Sequence, residues 1–372
     1  MNDTQIYKIK DSVDLFLSGG KYLTIYFMNS RQRKSFKVND EMIFLLESID
    51  GETPIGKIKE KLELDHGIDA NSVDEIIDSL IHNRIITALS DNKDILAEDI
   101  IQRYTRQINY FSEFLEGDAD GKVAQARIMS STLLIFGCGA VGSNIALELA
   151  MAGVGKMILV DCDNVEAADL SRHLFYRKNT IGMPKVDALE KEIKRINSGV
   201  VIDKDTRYIR PETDIEEIIC QADFVVNTLD EPYIGYTSAK ISRLCMKHNI
   251  PHYIAGGFDA HLASTGELII PYVTPCVECY ANHFKVALKD WKPKSHPVRD
   301  RYTEIGGLAS MTLFSASYAC IEIIKCLTGI VNQQKNYKIR GEFLFNDMSL
   351  TYLNVQRDPD CPICGGKTLN ES

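Results

Sequence analysis

The sequence is short of proline and short of base. Only 11 prolines stand beside 24 glycines in 372 residues, of which 45% are hydrophobic and 25% charged, and this excludes disordered and collagen-like classes. With 42 bases against 52 acids the net charge is −10, which argues against a surface devoted to nucleic acid, local basic patches aside. No apolar run approaches the ~20 residues of a bilayer-crossing helix, and the opening MNDTQIYKIKDS is too polar for a secretory signal. The expectation is a soluble, cytoplasmic protein. Internal repeats and low-complexity tracts are absent too. The length suits one large α/β domain with a smaller appendage, or two ordinary domains.

Ten cysteines are present, but not in a disulfide pattern. Four form two short pairs, Cys276-Val-Glu-Cys279 and Cys361-Pro-Ile-Cys364, the second followed by Gly365-Gly366 as in zinc knuckles. In a large intracellular chain such spacing reads as a tetrahedral zinc site, and four thiolates leave no open position, so the metal is expected to be structural. Cys138, Cys162, Cys220, Cys245, Cys320 and Cys326 are scattered through motif-bearing or apolar stretches, and none is a good thioester nucleophile.

Residues 1–95 read as a self-contained module. Lys21–Phe27 and Ser35–Val38 have strand character, and Asn39-Asp40 caps a helix carrying Met42, Ile43, Leu45, Leu46 and Ile49, which Asp50-Gly51 closes. A second helix is predicted from Ile55 and a third over Ser72–His82, before a strand over Arg84–Leu89. Strands, three helices and a closing strand describe a small winged-helix module. A polar link over residues 90–100 leads to Arg103-Tyr104-Thr105-Arg106-Gln107 and a second domain, taken as 96–372.

That second domain opens with a complete nucleotide-binding unit. A buried-strand run, Thr132–Phe136, feeds Gly137-Cys138-Gly139-Ala140-Val141-Gly142 and an apolar helix, and a second strand, Lys156–Val160, ends on Asp161. The glycines permit a tight turn and close backbone approach, the helix N-terminus faces phosphate, and the acid meets ribose hydroxyls. A nicotinamide dehydrogenase is the first guess, but the residues beyond Asp161 speak against it. Asp163, Asp169, Arg172 and His173 crowd the stretch after the strand, then come Gly182-Met-Pro-Lys185 and a further strand ending on Asp230. An arginine and a lysine suit a triphosphate, and a strand-end aspartate suits magnesium.

Taken together, Gly137–Gly142, Asp161-x-Asp163, Leu170-Ser-Arg172, Gly182-x-x-Lys185, Asp230 and the paired cysteines resemble the ThiF/MoeB/HesA superfamily, relatives of ubiquitin-activating enzymes, from about Arg103 to Gly365. The resemblance implies a Rossmann-like, mostly parallel α/β domain that adenylates a carboxylate with ATP and magnesium. It implies that Gly137, Gly139, Gly142, Asp161 and Asp163 hold the nucleotide, with Asp161 on the ribose. Arg172 and Lys185 then grip the triphosphate and Asp230 holds magnesium. Arg106 matches the arginine that reaches into a partner's site, which implies a homodimer. Two positions depart from the family: Asp169 stands where asparagine is usual, and His173 where glutamine is usual. Residues 285–307, charged and closed by Gly306-Gly307, fall where the superfamily has a crossing loop over the activated tail, a lid. Leu308–Leu327 reads as a long apolar helix for the core or a dimer interface.

The N-terminal module resembles PqqD-like peptide-recognition domains, in which a leader peptide adds a strand to a sheet edge beside the third helix. A winged helix used for dimerisation or DNA is the other reading. The fusion of the two domains is similar to microcin C-type peptide-adenylating enzymes and pantocin-type enzymes. It implies activation of a carboxyl or carboxamide-derived group on a ribosomally made precursor peptide, in biosynthesis of a peptide natural product of antibiotic type. The alternatives are an adenylyltransferase for a ubiquitin-like sulfur carrier and a non-catalytic, peptide-presenting partner.

Overall fold

A computed structural model describes residues 2–28, 30–89, 95–115, 118–210, 212–229, 234–255, 258–259, 262–287, 289–290, 307–330 and 340–366. The chain forms two compact units, Met1–Ala126 and Arg127–Ser372.

The first unit contains β1 (Ile6–Ile9), β2 (Val13–Ser18), β3 (Tyr22–Phe27), β4 (Gln32–Lys37), α1 (Asp40–Ser48), β5 (Asp50–Pro54), α2 (Ile55–His66), α3 (Ala70–His82), β6 (Ile86–Leu89) and α4 (Glu98–Ser112). Its boundary with the second unit falls inside α5 (Asp118–Ser130). Two antiparallel sheets form, in the orders β5-β1-β6 and β2-β3-β4. The Asn39 side chain accepts from the Met42 amide at 3.0 Å and starts α1, and Asp69 does the same for α3 at the Asn71 and Ser72 amides. Leu45, Ile55, Leu62, Val73, Ile77 and Ile86 bury against one another, so the three helices close over strand residues Leu23 and Ile25. The expected closing turn at Asp50-Gly51 is instead the start of β5. Its polar residues have little strand propensity, and the strand exists because β1 pairs with it.

The second unit begins with β7 (Thr132–Phe136), α6 (Ala140–Ala152), β8 (Lys156–Val160), α7 (Lys185–Ile196), β9 (Val201–Asp205), α8 (Glu216–Ile219), β10 (Phe224–Asn227), α9 (Ile234–Lys247) and β11 (His252–Ile254). It continues through β12 (Phe258–Asp259), β13 (Leu262–Ser264), β14 (Glu267–Ile269), α10 (Val277–Ala287), α11 (Ala309–Thr328), β15 (Arg340–Leu344) and β16 (Leu350–Leu353). The main sheet has the order β14-β11-β10-β7-β8-β9 and is parallel except for β14. The α/β domain with a mostly parallel sheet is as expected. Strand order reverses direction between β7 and β10, so a crevice opens beyond the carboxyl ends of these two neighbours, where such sheets bind ligands.

The long apolar helix read over Leu308–Leu327 is α11. The 20 residues of α11 are long and apolar enough to cross a bilayer by length and composition alone. They are nonetheless a packing helix: Met311, Ala316, Ala319, Cys320 and Ile323 are buried. Ser317 Oγ donates to Glu148 of α6 at 2.8 Å, and Ser315 Oγ to the Ser264 carbonyl at 2.8 Å.

Candidate functional site

The glycine loop sits between β7 and α6, beside the end of β10. Gly137 has φ +90°, and a Cβ there would lie 2.4 Å from Thr228 Oγ1. A Cβ on Gly142 would lie 2.0 Å from the Gly137 carbonyl oxygen, so neither position admits a side chain. Thr228 Oγ1 stitches the loop to β10 by reaching the carbonyls of Phe136 at 3.0 Å and Gly137 at 2.9 Å. Gly139 differs: nothing lies within 4 Å of its Cβ direction. That open space stands at the N-cap of α6, where first-turn amides have no intrahelical acceptor, a place suited to phosphate.

Asp161, expected on the ribose, is buried and already engaged. One carboxylate oxygen accepts from the Cys138 amide at 2.6 Å and the other from the Asp163 amide at 2.7 Å, so Asp161 clamps the glycine loop to the end of β8. Burial raises its pKa, against the pull of these amides. Asp163 is the more open carboxylate, with its side chain 62% exposed, and it accepts from Lys185 Nζ at 3.0 Å. Lys185 is the first residue of α7, placed there by a bridge between Asn164 and Pro184 and by its own amide bonding the Asp163 carbonyl. Burial would lower its pKa, but Asp163, with Asp161 and Asp169 beyond, holds it above the ordinary lysine value.

Asp169 does not face the phosphate space as a bare charge. It is buried; one oxygen accepts from the Glu166 amide at 3.0 Å and the other from Arg172 Nη2 at 3.0 Å. Burial pushes its carboxyl up, yet that amide and the guanidinium outweigh it and hold the group below the usual carboxylate range. Arg172 is thus anchored at one corner and half exposed elsewhere, leaving its other donors for a ligand. His173 donates from Nδ1 to the Asp169 carbonyl at 3.0 Å and stacks on Tyr176 at 4.4 Å. Its side chain is fully buried, Nε2 has no partner among the described residues, and burial lowers its pKa. The tautomer is that of a neutral structural imidazole.

No activated thiol stands in the site. Burial with Asp163 and Asp161 alongside pushes exposed Cys162 up to about 11, and burial drives Cys138 well above the ordinary thiol value.

The four paired cysteines converge. Sγ–Sγ separations are 3.9 Å for Cys276–Cys279, 3.5 Å for Cys276–Cys361 and 3.4 Å for Cys279–Cys364, and all four sulfurs lie within 4.8 Å of one another. Metal–thiolate bonds of ~2.3 Å in a tetrahedron put sulfurs about 3.8 Å apart, so the cluster can hold a metal ion. All four side chains are buried, with the Asp358 amide donating to Cys279 Sγ at 3.5 Å and Arg357 Nη2 to the Cys364 carbonyl at 2.6 Å.

A family model, described as the ThiF family, matches residues 104–363. The chain belongs to the ThiF family. Protein HesA of Trichormus variabilis is 30% identical over 270 residues, covering 71% of this chain and 89% of that protein. The sulfur carrier protein ThiS adenylyltransferase of Escherichia coli is 26% identical over 272 residues, covering 72% and 96%. Among solved structures, E. coli MccB with succinimide has a TM-score of 0.69 at 19% identity over 96% of this chain and 99% of that one. PaaA gives 0.66 at 22% over 94% and 100%. The structural likenesses place the fold beside MccB, and the relatives of this ThiF-family chain include an adenylyltransferase.

Of the residues singled out from sequence, Gly137, Gly139, Gly142, Asp161, Asp163, Arg172 and Lys185 come together at this crevice. Arg106 is exposed on α4, in the first unit. Asp230 lies outside the described residues, as do residues 288 and 291–306 of the expected lid. Thr228 and Tyr176 escaped the sequence reading. A threonine after a strand carries no ligand signature, and its role rests on β10 lying beside β7.

Proposed function

We propose that this chain adenylates a carboxyl or carboxamide-derived group on a ribosomally made precursor peptide, with its first unit serving as the peptide clamp. The observation that carries the reading is coverage. The HesA and ThiS adenylyltransferase relatives account for about seven-tenths of the chain, and 96% of the latter is used in doing so. The MccB likeness instead runs over 96% of the chain, and one structure of MccB, there called a microcin C7 biosynthetic enzyme, is a complex with N-formylated MccA. An extra N-terminal unit is what a peptide substrate calls for and what those shorter relatives do without. Helices α1–α3 of this unit and its antiparallel sheets suit a PqqD-like module over residues 1–95, with the adenylation domain over 96–372.

In this reading the triphosphate lies along the open side of Gly139 and the α6 N-terminus, and the ribose meets Asp163 and Asp161. The substrate carboxylate attacks the α-phosphorus, the α–β bridging bond breaks, and pyrophosphate leaves with the electron pair. Arg172 and Lys185 supply positive charge to the oxygens on which negative charge builds, and alignment does the rest. No protein nucleophile takes part, in keeping with the raised thiols. Asp230 would hold magnesium, which would supply charge neutralisation on the phosphates. Cys276, Cys279, Cys361 and Cys364 would hold zinc, which would supply a structural staple between the C-terminal segment and α10. Arg106 of each subunit completes the other's site in a homodimer, and residues 285–307 cover the bound tail.

The test is mass spectrometry of the enzyme with ATP, magnesium and candidate precursor peptides. A mass gain equal to AMP, or loss of water with release of AMP, supports the reading. Adenylation of a Gly-Gly-ended sulfur carrier and of no peptide overturns it in favour of the second reading, which the likeness to the ThiS adenylyltransferase recommends.

A further inference from the structure

The outer strand of the first unit has an unusual surface. Every residue of β4 is exposed, and among the described residues β4 bonds to β3 alone, which leaves its other edge a row of backbone donors and acceptors with no strand against it there. From Met28 to Val38 the chain has four cations, Arg31, Arg33, Lys34 and Lys37, and no acid, within a protein of net charge −10. No ion pair among the described residues involves any of the four. Register sorts them by face. Arg33 and Lys37 stand opposite Tyr26 and Tyr22 on the outer face, with Ser35 opposite Thr24 between them. Lys34 and Phe36 share the inner face with buried Ile25 and Leu23.

Helix α3 runs beside this edge. Lys34 Nζ donates to Asn83 Oδ1, at the C-terminal end of α3, at 3.2 Å. Just past the other end of β4, an apolar cavity of about 110 Å³ is lined by Met42, Leu45, Leu62, Val73 and Ile76, with Asn39 and Glu41. The middle of β4 thus meets the C-terminal end of α3, and the cavity lies where the residues after β4 meet the first turns of α3. Of the acids on α3, Asp74 is turned to Lys59 at 2.7 Å and Asp78 lies near Tyr7, while Glu75 is exposed.

We infer that this edge binds an acidic, extended peptide segment. The segment adds a strand to β4, sets carboxylates at alternate positions against Arg33 and Lys37, and seats an apolar side chain in the cavity, where Glu41 disfavours an acid. The inference rests on the peptide-clamp reading above and adds the chemistry of what the clamp accepts. Edge strands also carry charge simply to repel other strands. A guard strand binds nothing, and that difference is measurable.

The experiment uses the full-length protein and fluorescence anisotropy with three labelled synthetic peptides, whose cores alternate valine with glutamate, lysine or serine. The glutamate peptide should bind, and its affinity should fall steeply between about 50 and about 300 mM salt. Arg33→Glu with Lys37→Glu should weaken it about tenfold or more while leaving Tm unchanged, since both side chains are exposed. Equal binding of the serine or lysine peptide overturns the acidic assignment and leaves the clamp standing. Binding of none of the three, in an enzyme that still adenylates its peptide, overturns the clamp itself and marks β4 as a guard. A single-stranded oligonucleotide that displaces the glutamate peptide overturns the inference in favour of a polyanion site.

Discussion

Replacing Asp169 with asparagine keeps the shape of a buried side chain and removes its charge. One amide oxygen can still accept from the Glu166 amide, but the amide nitrogen then points its hydrogens at Arg172 Nη2, donor against donor. A hydrogen bond to a charged group is worth ~1.5–3 kcal/mol. The Arg172 side chain is 49% exposed, so solvent screening brings its positioning value to about 1 kcal/mol, or about fivefold in rate. The expected result is a fall of about fivefold in kcat/KM for ATP, measured by pyrophosphate release, with KM carrying most of the change. A double-mutant cycle separates positioning from general damage: in an Arg172→Ala background, Asp169→Asn should cost less than about twofold. If kcat/KM rises in the single variant, the carboxylate is competing with phosphate for Arg172, and the reasoning is refuted.

Two glycines three residues apart should respond differently. Gly142→Ala places a Cβ 2.0 Å from the Gly137 carbonyl and should lower Tm, whereas Gly139→Ala meets only open space and should keep Tm while weakening ATP binding. Equal Tm losses would remove the distinction. His252 is fully buried, donating from Nδ1 to the Ile250 carbonyl and accepting at Nε2 from Ser242, and burial lowers its pKa to about 4. The unfolded chain takes up a proton near pH 6.5 that the folded one refuses. Stability should therefore fall as pH drops from about 6.5 to about 4, by about 3 kcal/mol in all. Denaturation midpoints across that range should be flatter in His252→Gln, and identical slopes would refute the assignment. Cys361→Ala should abolish stoichiometric zinc in the purified protein and lower its Tm, while undiminished metal content would count against the four-thiolate site.

Much of this arrangement was legible because short-range chemistry specifies it. The glycine spacing and the acid after β8 need only local order plus one parallel pairing to converge, and each cysteine pair shows its ligand spacing within four residues. The helices of the first unit were readable from the cap at Asn39 and from apolar periodicity. An element that depends on a distant partner was not: β5 is a polar strand that β1 makes. Asp169 was the residue least readable from sequence. Its neighbours there suggested a carboxylate crowding phosphate, and only the Glu166 amide and the guanidinium at 3.0 Å give it a different meaning.

Both cations at the crevice are paired with a carboxylate at 3.0 Å, yet the two pairs are not equivalent. In one the cation is buried and the acid exposed: Lys185 has 10% of its side chain accessible, Asp163 62%. In the other the acid is buried and the cation exposed: Asp169 has 3%, Arg172 49%. An arriving polyanion can displace the exposed member of a pair at little cost and the buried member only at the cost of desolvation and broken backbone bonds. Phosphate should therefore push Asp163 off Lys185 while leaving Asp169 on Arg172. The freed Asp163 carboxylate then stands beside Asp161 at the end of β8, available to ribose hydroxyls at the moment the lysine turns to phosphate. On the proposed reading one ion pair is exchanged on binding and the other persists through it, so a single nucleotide would be gripped by one residue it releases and one residue already held in place.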